Sequence, residues 1–225
     1  MMPNKPTDCA LHHDKLKEKQ RAIRDGFSTE LTLRVHRGLS WFGRACEQGN
    51  DEDVRFILLW IAFNATYATE IDADVGNDRE KFRLFFRTLI DLDGDKRIYG
   101  LVWSRFSNEV RLLLDNRYVF APFWAHQNGV PGNDDWADRL ARAKHAVAKA
   151  IARQDTPTIL SILFDRLYVL RNQLVHGGAT WGSKVNRDQV RDGAAILMNL
   201  VPIFIDIMMD NPDHPWGMPF YPVVD

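Results

Sequence analysis

DEDVRFILLWIAFNATYAT, residues 51–69, places three acids ahead of a run that is apolar on almost every face. Asp51, Glu52 and Asp53 occupy a first helical turn, where the macrodipole favours negative charge. Val54 to Ala68 is too long for a typical strand and carries no alternation, so it reads as a helix. A helix apolar nearly all round belongs at the centre of a packed domain.

Working outward, every neighbouring segment carries helical signals. Gly49-Asn50 breaks the chain before Asp51, and Thr29 to Cys46 has apolar residues at 31, 35, 39, 42 and 45, a helical period. Lys15 to Asp25 is charged and helix-prone, and residues 1–12 are expected to be a flexible tail. Downstream, Asp78 to Leu92 is amphipathic, DLDGDK is a turn, and Tyr99 to Leu114 continues helical. Tyr118 to Trp136 contains Pro122, Gly129, Pro131 and Gly132 and is expected to be irregular, with Phe120, Phe123 and Trp124 packing it onto the body. Asp138 to Arg153 is Ala-rich. Asp155 or Thr156 caps a helix that starts at Pro157, runs to His176 and ends at Gly177-Gly178. Asn186 to Met209 forms the last helix, with Pro202 as a point of kinking, and WGMPFYPVV is an irregular tail. The expectation is an all-α fold of seven to eight helices, with residues 13–225 as one domain.

The chain has 225 residues, 45% of them hydrophobic and 26% charged, which excludes a disordered or fibrous protein. Twenty-nine Lys and Arg face thirty Asp and Glu, and the pI is near 6.7. A globally basic protein that coats nucleic acid is excluded, although a local basic patch is not. Cys9 and Cys46 make neither a disulfide framework nor a four-ligand zinc site, and two thiols fit a reducing cytoplasm. The polar N-terminus lacks the apolar core of a signal peptide. Ile196 to Met209 is the most hydrophobic run, but Asn199, Pro202 and Asp206 interrupt it, so it reads as a buried core helix and no membrane partner is expected.

Most catalytic motifs are missing. No G-x-x-x-x-G-K-[ST] or G-x-G-x-x-G loop occurs, and no G-x-S-x-G elbow. Asp91, Asp93 and Asp95 resemble the start of a calcium loop, but Lys96 stands at the glycine position and Val102 at the bidentate acid position, which makes a solvated turn the better reading. Cys9, His12, His13 and Asp14 lack a second ligand cluster for zinc. No metal and no cofactor is expected.

RNQLVH, residues 171–176, is different. Arg171, Asn172 and His176 stand beside the apolar face of Ile159, Leu163, Leu167, Leu170 and Leu174, just before a helix end. Asn172 and His176 are i,i+4 neighbours, so the amide can orient the imidazole. Arg171 lies about 140° from His176 around an ideal helix, so one helix does not aim both at one atom. The alternative reading is structural: Arg171 in a salt bridge to an adjacent helix and His176 capping its own carbonyls.

R-N-x-x-x-H late in an all-α chain resembles the R-x4-6-H motif of the HEPN superfamily, in which a polar residue usually follows the Arg. Leu58 to Ala68 is similar to the central helix of Apea-like HEPN proteins, and the last long helix to the one that follows the motif. The resemblance covers about residues 50–210, with an elaborated middle from about 72 to 155. It implies a HEPN-like helical bundle with additional helices that forms a homodimer, the two motifs facing each other across a cleft. It also implies a metal-independent endoribonuclease of a toxin or defence type, with Arg171, Asn172 and His176 catalytic and a cognate antitoxin as a further partner. Other members are inert, bind nucleotides or serve as interaction modules, and that alternative stays open. The chemistry is consistent: histidine can act as base or acid, arginine can stabilise a phosphorane, and two copies would supply both histidines. Trp181 is a candidate for stacking on a base. Lys184, Arg187 and Arg191 are candidates for binding RNA or a nucleotide; DNA, without the 2′-hydroxyl, is not an expected substrate.

Overall fold

A computed structural model describes residues 8–67, 78–184, 186–219, 221 and 223. Among them the chain is all-helical, with no strand and ten α-helices where seven to eight were expected. The surplus has local causes. Tyr99 to Leu114, expected to be one helix, divides into α5 (Arg97–Gly100), a π-helical turn (Leu101–Arg105) and α6 (Ser107–Asp115), which separate at Phe106 with φ −115° and ψ 23°. The aromatic stretch expected to be irregular contains a 3-10 turn (Arg117–Val119) and α7 (Ala121–Gln127), where Pro122 fits the first turn because no donor is needed there. Phe120 and Phe123 bury themselves with Leu140, and Trp124 and Trp136 pack against them.

Two compact units form, Met1–Gly76 with Gly193–Asp225, and Asn77–Asp192. In the first, α1 (Asp8–Ile23) starts inside the expected tail; residues 1–7 of that tail lie outside the described residues, as does Ala68 of the central helix. α2 (Thr29–Cys46) is started by Ser28, whose side chain accepts a hydrogen bond from Leu31 N at 3.2 Å. Its stripe of Leu31, Val35, Leu39, Phe42 and Ala45 is wholly buried. α3 (Glu52–Tyr67) buries Phe56, Leu59, Trp60, Ala62 and Phe63, while Val54 is exposed. α10 (Arg187–Asp210) supplies Phe204, 6.4 Å from the Phe63 ring, and Ile205, against Gly38. Helix α10 is long and apolar enough to cross a membrane by length and composition, but Leu197, Leu200, Val201, Phe204, Ile205 and Met208 are all buried in the fold.

Two features of this unit depart from expectation. Cys9 and Cys46 are joined in a disulfide, Cα atoms 5.5 Å apart, because α1 packs on α2 and brings the first turn of one beside the last turn of the other. The approach is close enough that a Cβ on Gly43 would sit 2.6 Å from His13 Nε2. Arg34, in the middle of the apolar stripe of α2, is fully buried. It donates to the carbonyls of Thr66 (2.9 Å), Gly217 (3.2 Å) and Met218 (2.8 Å), and so ties down the C-terminal segment.

In the second unit α4 (Asp78–Leu92) packs on α9 (Thr156–Val175), with the rings of Phe86 and Phe164 4.7 Å apart. Asp93, the middle acid of DLDGDK, accepts from Ile98 N at 2.7 Å and Arg97 Nε at 3.3 Å, so its carboxylate organises the start of α5. α8 (Trp136–Ala152) also packs on α9. The start of α9 follows its sequence signals: Asp155 accepts from Thr158 N at 3.2 Å and from Thr158 Oγ1 at 2.8 Å, ahead of Pro157.

Candidate functional site

The C-terminal end of α9 carries the RNQLVH segment, and its termination determines what His176 does. Gly177 adopts φ 70°, a conformation that glycine takes without penalty, and the chain closes on itself there. Gly178 N donates to Gln173 O at 2.7 Å and Gly177 N to Leu174 O at 3.3 Å, the paired bonds of a Schellman motif. These backbone groups satisfy the last carbonyls of the helix. The imidazole of His176 is therefore not needed as a cap, and it makes no hydrogen bond among the described residues; the residue is exposed.

Beside it lies a cavity of about 1030 Å3 within the second unit. Tyr168, Val169, Asn172, Gln173 and His176 line it from α9, spaced as one helical stripe. Opposite them stand Asn116, Tyr118, Trp124 and Asn128 from the α6–α7 region, with Asn186 and Gln189 from the start of α10. A bonded frame holds these walls together. Gln173 Nε2 donates to Tyr118 O at 2.6 Å, Trp124 Nε1 donates to the same oxygen at 2.7 Å, and Asn186 Nδ2 donates to Gln173 Oε1 at 2.6 Å. One carbonyl thus joins α7 to α9, and one glutamine joins α9 to the start of α10.

Arg171 is absent from the cavity wall. It is half-buried, with Nη1 donating to Asn172 Oδ1 at 2.9 Å and its guanidinium 6.0 Å from the Tyr168 ring centre. The geometry follows from the helical wheel, which puts position 171 outside the stripe of 169, 172, 173 and 176. Two expectations are corrected. Asn172 spends its oxygen on Arg171 and does not orient His176. Among the described residues no salt bridge joins Arg171 to an adjacent helix and the His176 imidazole caps no carbonyl, so neither contact of the structural alternative is seen there.

The expected binding residues lie outside the cavity wall. Trp181, at 78% relative exposure, is the most exposed of the seven tryptophans; it stands on the loop after α9, outside the cavity wall. Lys184 is exposed on the same loop. Arg187 Nε donates to Ser183 O at 3.0 Å. Arg191 is engaged by Asp192 and Asp188, both at 2.9 Å, and the hydrogen bond and charge of Asp192 raise its pKa further. Arg166, on α9, is buried with its guanidinium 4.5 Å over the Phe120 ring. Among the described residues no three His, Cys, Asp or Glu side chains gather as a metal site.

Sequence reasoning found Asn172 and His176 but missed the other walls. Asn116, Tyr118, Trp124, Asn128 and Gln189 come from separate segments, and no spacing links them; the one available signal was the aromatic cluster at 120–124, which anchors α7. Compared with family models, curated proteins and solved structures, the chain matches none.

Proposed function

We propose that the protein is a HEPN-type, metal-independent endoribonuclease acting from the C-terminal end of α9. The observation that carries this reading is His176: an imidazole beside a cavity, next to an Arg171–Asn172 pair, with no hydrogen bond to the imidazole and no salt bridge to the pair among the described residues. A base in that position can take the proton of a 2′-hydroxyl, whose oxygen then attacks the adjacent phosphorus; the 5′-oxygen leaves with a proton from an acid. One chain supplies one histidine and one arginine of the motif, so the reading includes a homodimer in which a second copy completes acid, base and charge stabilisation. A cognate antitoxin would restrain such an activity.

The test is cleavage of single-stranded RNA by the purified protein between pH 6 and 8, with and without EDTA. Products ending in a 2′,3′-cyclic phosphate and a 5′-hydroxyl are expected, with DNA uncut. His176→Ala and Arg171→Ala should each abolish cleavage while far-UV circular dichroism stays unchanged. Cleavage that survives His176→Ala refutes the assignment, as does a strictly monomeric active species in light scattering.

A second reading, a non-catalytic nucleotide-binding or interaction module, is favoured by one observation: among the described residues no Lys, Asp or Glu lines the cavity that could serve beside His176 as a second proton-transfer group. Binding of a nucleotide without cleavage of any RNA would select it.

A further inference from the structure

The chemistry of the cavity wall is unusual for a site meant to grip phosphate. Six carboxamides line it: Asn116, Asn128, Asn172, Gln173, Asn186 and Gln189. Three aromatic side chains, Tyr118, Trp124 and Tyr168, stand among them, and His176 is the single titratable side chain on the wall apart from the two tyrosines. A phosphate seat would need cations or a helix N-terminus, and the wall holds no lysine or arginine. An apolar ligand would leave so many amides unpaired that its entry would be opposed by their desolvation.

The amides divide into two groups. Gln173 is engaged at both ends, by Tyr118 O and by Asn186 Nδ2, and serves as frame. Asn116 Oδ1 accepts from Tyr118 N at 2.8 Å, and Asn172 Oδ1 from Arg171. Among the described residues Asn128 and Gln189 spend neither end of their carboxamides on another group, and Asn172 Nδ2, Asn116 Nδ2 and Asn186 Oδ1 also remain available. The cavity therefore offers both donors and acceptors on planar groups, beside aromatic faces. Each carboxamide carries one donor and one acceptor side by side, the complement of the alternating edge of a nucleobase. Aromatic faces bind the flat side of the same ligand.

We propose that this cavity is the seat of one unpaired nucleobase, its edge read by the carboxamides of Asn128 and Gln189 and its face covered by Tyr168. This deepens the RNA-directed reading of the same site and rests on it for the source of the base. At about 1030 Å3 the space admits a nucleoside with its ribose, and His176 stands on the same wall. Selection is then made by the base, and the phosphate is left to groups outside the cavity such as Arg171.

The experiment is titration calorimetry of the full chain with adenosine, guanosine, cytidine and uridine, with ribose 5-phosphate, with maltose, and with single-stranded deoxyribonucleotide homotetramers that cannot be cut by 2′-hydroxyl attack. At least one nucleoside should bind, its affinity unchanged between 50 and 200 mM salt (roughly the range over which phosphate contacts weaken) because no phosphate is neutralised. The tetramer of the same base should bind at least as tightly, whereas ribose 5-phosphate and maltose should not bind. Gln189→Leu and Asn128→Leu should each weaken the nucleoside about tenfold, the order expected for one lost base-edge pair. Tyr168→Ala should weaken it too, and Tyr168→Phe should restore it.

Three results would overturn the proposal: no nucleoside binds, ribose 5-phosphate or maltose binds as well as any nucleoside, or both leucine variants keep wild-type affinity. Binding of tetramers without nucleosides, abolished by salt, overturns it equally, since phosphate contacts elsewhere would then account for the affinity. These titrations do not depend on cleavage. A nucleoside that binds to a protein unable to cut RNA removes the nuclease reading and leaves this one; cleavage without nucleoside binding does the reverse.

Discussion

Arg34→Met should loosen the C-terminal segment of the protein and lower its stability by about 3 kcal/mol. The magnitude follows from two opposing terms. The guanidinium donates to three carbonyls, and hydrogen bonds to a charged group contribute about 1.5–3 kcal/mol each, so the gross gain is roughly 4.5–9 kcal/mol. Against this, burial of the guanidinium pushes its pKa down from the ordinary arginine value to about 10, and at about 1.4 kcal/mol per pKa unit the charge costs on the order of 3 kcal/mol to bury. The net lies between roughly 1 and 6 kcal/mol. Methionine fills similar space without a charge, so the loss isolates the polar contacts, above all the buried carbonyl side of Thr66. For a chain of this length the midpoint of thermal unfolding should fall by about 6–12 °C. A native group with a lowered basic pKa makes stability rise with pH only between its folded and unfolded values, here from about 10 up to the ordinary arginine value. The loss should therefore be the same at pH 6 and at pH 9. Limited proteolysis read by mass spectrometry should show cleavage near Trp216–Met218 in the variant before any cut in α2 or α3. Wild-type stability together with a protected C-terminal segment would refute the reasoning.

Two further predictions concern the ends of the structure. Cys46→Ser should lower stability by up to about 4 kcal/mol, the chain-entropy value for a crosslink that spans a sequence separation of 37, and a non-reducing preparation of the wild type should show no free thiol under denaturing conditions; two titratable thiols in protein taken straight from cells would instead favour the reducing compartment that the composition suggested. Trp181→Ala should leave the unfolding midpoint within about 1 °C, since the side chain is largely exposed, and should weaken single-stranded RNA binding about 5- to 150-fold if the indole stacks on a base; unchanged RNA affinity excludes stacking.

How much could be read in advance depended on whether the signal was local. The start of α9 at Asp155-Thr156-Pro157 and its end at Gly177-Gly178 were legible because a cap, a proline and a glycine act within a few residues of themselves. The stripe of α2 was legible because burial of one face imposes a period. Arg34 stands inside that stripe and reads as an ordinary basic helix residue; the carbonyls that keep it buried come from Thr66 at the end of α3 and from a chain segment some 180 residues away. The cysteine pair needs α1 and α2 to pack before its sulfurs meet. The break between α5 and α6 rests on backbone angles at Phe106 that no residue preference there announces. The carboxamide wall is the extreme case, because asparagines and glutamines are neutral in pattern and become chemistry once three segments converge on one volume.

The helical wheel settles one further point about the site. Position 171 lies outside the stripe that faces the cavity, and the hydrogen bond to Asn172 Oδ1 keeps the guanidinium there. Turning Arg171 into the cavity would break that bond, worth about 1.5–3 kcal/mol, and would bring a charge to a wall of neutral amides with no carboxylate to receive it. Swinging the side chain inward is therefore the expensive way to bring Arg171 and His176 to one phosphate. The cheaper way leaves every side chain where it stands and lets the phosphate lie outside the cavity, between the Arg171–Asn172 pair of one copy and His176 of a second. On that arrangement the base occupies the cavity, the ribose lies at its mouth beside one imidazole, and the phosphorane forms where two copies meet, so that dimerisation and cleavage must fail together when the contact between copies is broken.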